Sequence, residues 1–496
     1  MKKQTHLWKK ITALAMTAIL TCSIYGCTAK KSESTAASLD PDNPVTVTIW
    51  NYYNGDQLAF FEQLVEEFNS TVGTEKGVTV TSVSLGNVDT LADSLLESVD
   101  EKAGSEDTPT LASVYSETAY ILDKEDALVS FDDYFTEDEL SAYVPGFVEE
   151  GRFNEDNDLL LFPLLKSSEI FAANQTDWKA FADDTGISIT SLKTKEDLTA
   201  AAERYYEWTD AQTSDIPDDG KALYGRDAIA NYIYLGSYEL GHELFKVEDG
   251  QVTVDMDRDT FKTLWDNYYI PYINGYFGHY ANYSSEDAKT GKILALTSSS
   301  SGVTFLPATV TDANDATHDI QMYETEELSF ANAKEHAVVQ QGASYCLLKS
   351  TEAQQDGAAL FLKWATEPER NLDFALKSGY SPVTTESNRA DSITKAYDGN
   401  TASTTGQNIL DALLISADGF NNDTAYATKP FYGSKDVRSL LQSALQDTAD
   451  ADRNTVTDSI AAGMSRKDAV AQFSTEEYFD SWFEKLCEDV NVTLKQ

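Results

Sequence analysis

The chain has 496 residues, a hydrophobic fraction of 42%, an aromatic fraction of 11% and a formal net charge of −45. This apolar content supports sizeable cores and excludes a largely disordered chain. The length exceeds that of one small domain and favours two. The negative charge repels phosphate backbones and anionic lipid headgroups, which excludes nucleic acid as a partner.

The N-terminus has the layout of a secretory signal. Four lysines precede the apolar run Ile11–Leu20, and Gly26 then precedes Cys27. The run is too short to span a bilayer. The layout is similar to a bacterial lipobox, so we predict a lipoprotein signal peptide over residues 1–26 and lipidation of Cys27 on the extracellular face of the cell membrane. An ordinary cleaved signal is the alternative. The polar residues 27–44 predict a flexible tether.

Hydrophobic periodicity predicts an early strand–helix–strand–helix–strand order. The alternating Val45–Ile49 predicts a strand, and a helical apolar face follows Gly55. A strand over Val78–Val83, a helix over Leu91–Val99 and a strand over Thr110–Tyr115 complete the order. This pattern is typical of a parallel sheet covered by helices and predicts an α/β fold.

Aromatic and polar residues follow the predicted strands. Trp50 and Tyr52 follow the first strand, and Tyr115 and Glu117 end the third. Ligands of open parallel sheets bind beyond the carboxyl ends of the strands. Aromatic rings stack on sugar faces while amides and hydroxyls bond to polyols, so these residues are candidate ligand contacts. The alternative is that they are core and loop aromatics.

The middle of the chain contains further elements. A helix is predicted over Lys195–Trp208 and a strand over Lys292–Leu296. The hydroxyl-rich Thr297–Gly302 follows that strand and predicts either a site for an anion or polyol, or a solvated loop.

The C-terminal third is predicted to be mostly helical. A helix is expected over Thr351–Thr366 and another from Pro368, followed by a turn at Ser378–Val383 in which Gly379 permits unusual φ. A capping box from Ser474 to Glu477 predicts the start of the last helix.

Neither the cysteines nor the motifs indicate catalysis. Besides Cys27, Cys22 lies in the signal, and Cys346 and Cys487 have no metal-binding or CxxC spacing. The sequence contains no P-loop, GxGxxG, GxSxG or HExxH motif. We therefore expect a non-enzyme with no cofactor and no metal. A cell-surface glycosidase using paired carboxylates is the alternative, and an adhesion lipoprotein is a third hypothesis.

The order of these segments resembles the extracellular solute-binding proteins of ABC importers, family 1, over roughly Val45 to Leu486. It is most similar to the sn-glycerol-3-phosphate-binding type in the stretches Ile49–Gly55, Ser300–Gly302, Gly342–Ser344 and Gly379–Pro382. By this resemblance, Ser167, Ser300, Gly342, Tyr380 and Arg438 match ligand-contacting positions.

Two positions depart from the pattern of that type. Val88 stands where the family has a tyrosine, and Ser116 stands where a glutamate is expected, with Glu117 one position later. A sugar or another polyol phosphate is therefore as admissible a ligand as glycerol phosphate.

The resemblance implies a two-lobed, type II periplasmic-binding-protein-like fold with the ligand between lobes joined by a multi-segment hinge. The lobes are expected over residues 45–168 with 338–385, and over 169–337 with 386–496. Crossing segments are expected near Lys166–Ile170, Ala337–Gln341 and Val383–Asn388. Because Cys346 and Cys487 then fall in different lobes, we expect free thiols.

The function implied is capture of a sugar, oligosaccharide or polyol phosphate and its delivery to ABC importer permease subunits. The protein is expected to be a monomer held at the membrane by its N-terminal lipid.

Overall fold

The computed structural model of the protein describes residues 39–213, 215–248, 251–397 and 404–495. The predicted signal peptide and Cys27 lie outside the described residues. Residues 39–44, the end of the predicted tether, form a turn, and Leu39 packs against an apolar core. Residues 39–44 therefore belong to the described fold, while residues 27–38 of the predicted tether lie outside the described residues.

The described residues form fifteen strands. They are β1 Val45–Asn51, β2 Val78–Ser84, β3 Leu111–Val114, β4 Leu128–Val129, β5 Glu169–Asn174, β6 Tyr224–Arg226, β7 Phe245–Glu248, β8 Gln251–Val254, β9 Ala295–Ser299, β10 Thr309–Thr311, β11 Thr317–Asp319, β12 Met322–Glu326, β13 Ala337–Val339, β14 Ser344–Leu348 and β15 Thr424–Tyr426.

The same residues form nineteen α-helices. They are α1 Gly55–Phe68, α2 Thr74–Lys76, α3 Val88–Val99, α4 Ser116–Lys124, α5 Glu137–Leu140, α6 Pro145–Glu149, α7 Gln175–Thr185, α8 Lys195–Asp210, α9 Ile229–Glu239, α10 Arg258–Asn267, α11 Tyr269–Ile273, α12 Ser284–Lys289, α13 Glu352–Ala365, α14 Pro368–Ser378, α15 Ala390–Ala396, α16 Thr404–Asn422, α17 Ser434–Ala461, α18 Arg466–Ala471 and α19 Glu476–Thr493.

The first sheet has the strand order β2-β1-β3-β14-β4. Strand β1 pairs in parallel with β2 and with β3, so the predicted strand–helix–strand order is confirmed. The later strand β14 returns to this sheet antiparallel to β3. Side chains alternate between two cores, with Ile49 in one and Trp50 in the other, because successive strand residues point to opposite faces.

The second sheet has the order β12-β5-β9-β6. Its strand β9 covers Ala295–Ser299, so the prediction of a strand over Lys292–Leu296 is wrong by three residues. Pairing with β5, from Glu169 opposite Ser299 to Ala173 opposite Ala295, sets the register. The hydroxyls tolerate burial here because they are bonded, as in the Thr297 Oγ1 bond to Glu327 Oε2 at 2.6 Å.

The chain passes from one sheet to the other through segments that bond to each other. The Ser167 N–H donates to Gln341 O at 2.8 Å, and the Gln341 N–H donates to Ser167 O at 2.9 Å. Lys166 and Ser381 exchange backbone bonds in the same way, at 3.1 and 2.6 Å. These pairs join stretches that lie far apart in sequence, which ties the junction between the two sheets together.

The C-terminal helix α19 begins one residue later than predicted. Thr475, rather than Ser474, is its N-cap and accepts the Tyr478 N–H at 3.1 Å. Ser474 Oγ donates instead to Val470 O at 3.1 Å, so the predicted capping box with Glu477 is wrong.

The two described cysteines are free thiols, as predicted. Cys346 is fully buried in β14 of the first sheet, and Cys487 is half-buried on α19. Across the described part of the chain, no helix combines the length and apolarity needed to cross a membrane.

Candidate functional site

A cleft lies between the elements that cover the first sheet and those that cover the second. The end of β3 and the start of α4 form one wall, while α9 and α17 form the other. The residues lining it are Tyr115, Ser116, Glu117, Glu150, Asn231, Tyr234, Val339, Gln340, Gln341, Tyr426, Ala427, Thr428 and Arg438. The predicted contacts Tyr115, Glu117 and Arg438 therefore meet in one cavity.

Arg438 brings a positive charge to the cleft. Its Nη2 donates to Asn231 Oδ1 at 2.6 Å, and its guanidinium carbon lies 5.9 Å from the centre of the Tyr234 ring. Among the described residues, no carboxylate lies within 4.0 Å of the Arg438 guanidinium nitrogens. The remaining donors of this planar cation can therefore bind a ligand oxygen.

Two carboxylates line the cleft, but they differ in their surroundings. Glu150 Oε2 accepts from Gln340 Nε2 at 2.8 Å and forms an ion pair with the fully buried Lys166. Glu117 is half-buried, and its carboxylate has no hydrogen bond or ion pair within the described ranges. A glycosidase needs two carboxyl groups free to act on the substrate. The ion pair of Glu150 disfavours that alternative.

Tyrosine hydroxyls form a cluster beside Tyr115. The Tyr52 and Tyr380 hydroxyl oxygens lie 3.2 Å apart. Burial, followed by the neighbouring Tyr380 and Tyr115, raises the pKa of the Tyr52 hydroxyl well above its ordinary value. Burial likewise raises the pKa of Tyr115. Both hydroxyls are therefore neutral at physiological pH, and that of Tyr115, which lines the cleft, can donate to a polyol.

Six predicted contact residues lie outside the cleft lining: Tyr52 and Tyr380 of the tyrosine cluster, and Trp50, Ser167, Ser300 and Gly342. Trp50 is 3% exposed and packs in the apolar core between β1 and α3. Ser167 pairs through its backbone with Gln341, and Ser300 Oγ accepts the Ser168 N–H at 3.1 Å. Gly342 has φ +92° and its carbonyl accepts from Lys166 Nζ at 2.7 Å.

The contacts of Trp50, Ser167, Ser300 and Gly342 therefore hold the fold together, and these residues do not line the cavity. The run Thr297–Gly302 is not a solvated loop, because it lies in β9 and in the 3₁₀ helix Ser300–Phe305.

Several residues of the second wall were not predicted from the sequence. Asn231 and Tyr234 lie on α9, whose sequence is almost wholly buried and carries no polar stripe. Gln340 and Gln341 were predicted only as part of a crossing segment. In the described ranges, no group of histidine, cysteine and acidic residues is arranged to hold a metal ion.

Solved structures of known proteins share this fold. A cyclic alpha-maltosyl-1,6-maltose binding protein from Arthrobacter globiformis aligns over 89% of this chain and 100% of its own, with 14% identity and a TM-score of 0.61. UgpB from Mycobacterium tuberculosis, in complex with glycerophosphocholine, aligns over 91% and 99%, with 14% identity and a TM-score of 0.63. At such identities the likeness shows the fold alone.

A third structure extends the comparison. An ABC transporter solute binding protein from Agrobacterium radiobacter K84, in complex with ribitol, aligns over 90% of this chain and 99% of its own, with 14% identity and a TM-score of 0.60. No curated protein sequence gives a significant match.

The two sheets, the cleft between them and these neighbours define a two-lobed periplasmic-binding-protein-like fold of type II. The sequence profile of bacterial extracellular solute-binding proteins matches residues 63–401, more than half of the chain. The chain belongs to that family.

Proposed function

We propose that this protein captures a sugar or a polyol, free or phosphorylated, and delivers it to the permease of an ABC importer. The cleft supports this best, since it brings Arg438 without a carboxylate partner, the neutral Tyr115 hydroxyl and Glu117 into one cavity. Such a combination suits hydroxyls together with one anionic group. The adhesion hypothesis predicted no such cleft.

The proposed ligand contacts are Tyr115, Glu117 and Arg438, with the hydroxyls of Tyr52 and Tyr380 behind them. The structural neighbours support this ligand class, because one is a cyclic alpha-maltosyl-1,6-maltose binding protein and the others are in complex with glycerophosphocholine and ribitol. The lobes are proposed to keep the ranges predicted from sequence, and the protein to act as a monomer whose lobes close on the ligand.

Thermal unfolding against a ligand panel tests this function. Maltose, maltotriose, ribitol, sn-glycerol 3-phosphate and glycerophosphocholine form the panel. A ligand at 100 times its Kd stabilises the native state by about 2.7 kcal/mol and raises the Tm accordingly. If no sugar, polyol or phosphate ester raises the Tm, the proposed ligand class is wrong.

Replacing Arg438 separates anionic from neutral ligands. We expect Arg438→Ala to weaken sn-glycerol 3-phosphate by about tenfold or more while ribitol affinity changes little, because a bond to a charged group contributes ~1.5–3 kcal/mol. Isothermal titration calorimetry measures both affinities.

Arg453→Ala is the matched control for that variant. Arg453 lies on the same helix, α17, and donates to Ile273 O at 3.2 Å, away from the cleft lining. Equal weakening of both ligands in Arg438→Ala, or the same selectivity loss in Arg453→Ala, would contradict an anion-binding role for Arg438.

The lipid anchor is proposed from the sequence around Cys27. We expect Cys27→Ala to release the protein from the membrane fraction into the medium, since stable anchoring depends on the acyl chains. Fractionation and mass spectrometry of the mature N-terminus measure this. Cys22→Ala is the matched control and should leave the protein in the membrane fraction; membrane retention of Cys27→Ala would refute the anchor.

A further inference from the structure

Asn231 occupies the point where the cleft meets the junction between the sheets. It is 3% exposed, and its amide makes three bonds. Its Oδ1 accepts from Arg438 Nη2 at 2.6 Å, while its Nδ2 donates to Glu169 Oε1 and to Gln341 Oε1, both at 2.9 Å. Both amide hydrogens and the oxygen are therefore in use.

This arrangement fixes the orientation of the amide. Turning it by 180° would set the NH₂ group against the Arg438 guanidinium and the oxygen against the Glu169 carboxylate. Both contacts would be repulsive, since two donors or two acceptors would face each other. The oxygen of Asn231 is therefore held toward Arg438.

A network of buried charged side chains extends from Glu169, one of the partners of the Asn231 amide. Glu169 Oε2 accepts from Arg226 Nη2 at 2.7 Å, and Arg226 Nη1 donates to Glu327 Oε1 at 3.2 Å. Lys195 Nζ lies 3.4 Å from the same Glu327 oxygen. The side chains of these four residues are at most 10% exposed. Networks of this kind are rigid, because moving any member would leave a charge buried without a partner.

The third partner of Asn231 connects it to the chain crossing between the sheets. Gln341 exchanges backbone bonds with Ser167, and its Nε2 donates to Ser168 O at 3.0 Å. Asn231 thus touches a cleft cation, the buried charge network and the crossing segment at once.

We propose that Asn231 is a positioning residue: it holds the Arg438 guanidinium toward the ligand and couples it to the crossing segment through Gln341. This inference rests on the proposed ligand-binding role of Arg438. An arginine side chain has many rotamers, and a fixed acceptor selects the one that presents its free donors to the cleft.

A ligand-free measurement tests the positioning directly. In protein labelled with ¹³C,¹⁵N-arginine, NMR reports the rotation of each guanidinium, and Arg438→Lys identifies the Arg438 signal by its loss. We expect slow rotation in the wild type and free-arginine behaviour in Asn231→Ala. An Arg438 signal unchanged by Asn231→Ala would overturn the proposal.

A buried asparagine elsewhere supplies the matched control. Asn371 is fully buried and bonds only to backbone, donating to Leu164 O and accepting from the Val383 N–H, both at 2.8 Å. Asn371→Ala should leave the Arg438 signal unchanged whatever its effect on the Tm. If Asn231→Ala does not fold, Asn231→Ser is measured by the same criterion.

A double-mutant cycle tests the effect on binding. We expect Asn231→Ala to weaken sn-glycerol 3-phosphate by about tenfold and ribitol hardly at all. The double variant with Arg438→Ala should bind no more weakly than Arg438→Ala alone, because Asn231 acts through Arg438. Additive losses would overturn the proposal. If neither of these two probes binds the wild type, the NMR comparison alone decides the role of Asn231, and the ligand panel decides the ligand class.

Discussion

At the scale of single residues, Glu324 of β12 has a buried carboxyl group. Both of its carboxyl oxygens are buried and lack a hydrogen-bond partner among the described residues. Burial, with Asp411 adding to it, raises the pKa of Glu324 to about 9. The group therefore stays protonated in the folded protein at neutral pH, whereas it ionises in the unfolded chain.

Glu324 should make stability fall as the pH rises. Between its ordinary pKa and about 9, the unfolded state releases a proton that the folded state retains, so the free energy of unfolding decreases with pH across that window. We expect Glu324→Gln to remove this pH dependence. At pH 8 the free energy of unfolding of the variant should exceed that of the wild type by roughly 1–3 kcal/mol. Denaturant unfolding of both proteins at pH 5 and pH 8 measures these free energies. An equal difference between variant and wild type at the two pH values would contradict the prediction.

Single residues were predictable where a local rule decided them. Gly379 has φ +76° at the end of α14, as its position in the predicted turn requires. Tyr115 reached the cleft because it ends a strand of a parallel sheet. Trp50 did not, because the face of β1 that a residue occupies depends on which helices cover the sheet.

At the scale of secondary structure, helices with strong periodicity and end signals were predictable. The predicted helix over Lys195–Trp208 extends to Asp210 and begins after a Thr194 capping box. Elements whose bounds depend on pairing were not. Strand β9 includes Ser298 and Ser299 because its neighbour β5 pairs with them, which the sequence of β9 alone does not reveal.

The start of α19 distinguishes two adjacent hydroxyls. Thr475 caps the helix, so Thr475→Ala should lower the free energy of unfolding by ~1 kcal/mol, because an N–H at the helix start loses its acceptor. Ser474→Ala, which removes only a bond to Val470 O, should cost much less. Chemical denaturation compares the two variants. A larger loss in Ser474→Ala would favour the capping box predicted from sequence.

At the scale of the whole molecule, the two sheets are bridged across the cleft as well as through the crossing segments. Lys435 Nζ on α17 lies 2.9 Å from Asp93 Oδ1 on α3. Phe147 of α6 packs edge to face against Phe420 of α16, with ring centres 4.8 Å apart. Helix α14 supplies Phe374 to a core of the first sheet and Leu372 to a core of the second.

The Lys435–Asp93 ion pair should favour the closed arrangement of the lobes. We expect Lys435→Glu to increase the radius of gyration of the ligand-free protein in small-angle scattering, because attraction across the cleft becomes repulsion. The effect should shrink at 1 M salt, where the Debye length is about 3 Å.

A charge swap and a pair within one helix control that experiment. The double variant Asp93→Lys with Lys435→Asp should restore the wild-type radius. Lys485→Glu alters an exposed ion pair with Asp489 inside α19 and should leave the radius unchanged. An unchanged radius for Lys435→Glu at low salt would show that the ion pair does not contribute to closure.

The two-sheet plan was predictable from the resemblance, while the sequence pattern alone predicted only the first three strands. Which segments meet at the junction depends on contacts between residues more than a hundred positions apart, such as Ser167 with Gln341. Local periodicity carries no information about such pairs. The residues of the second wall of the cleft, including Asn231, were not predicted for the same reason.

The unequal burial of the two described thiols makes this protein convenient for optical measurement of its motion. Cys346 is buried, and burial raises its pKa to about 12. Burial also raises the pKa of Cys487, but Cys487 is only half-buried and is therefore the more accessible site for a maleimide dye. Cys487 packs against the core of the second sheet, whereas Glu62 is exposed on α1, which covers the first. One engineered cysteine at Glu62 would therefore allow the distance between two dyes, one on each side of the cleft, to be measured without removing either of these thiols.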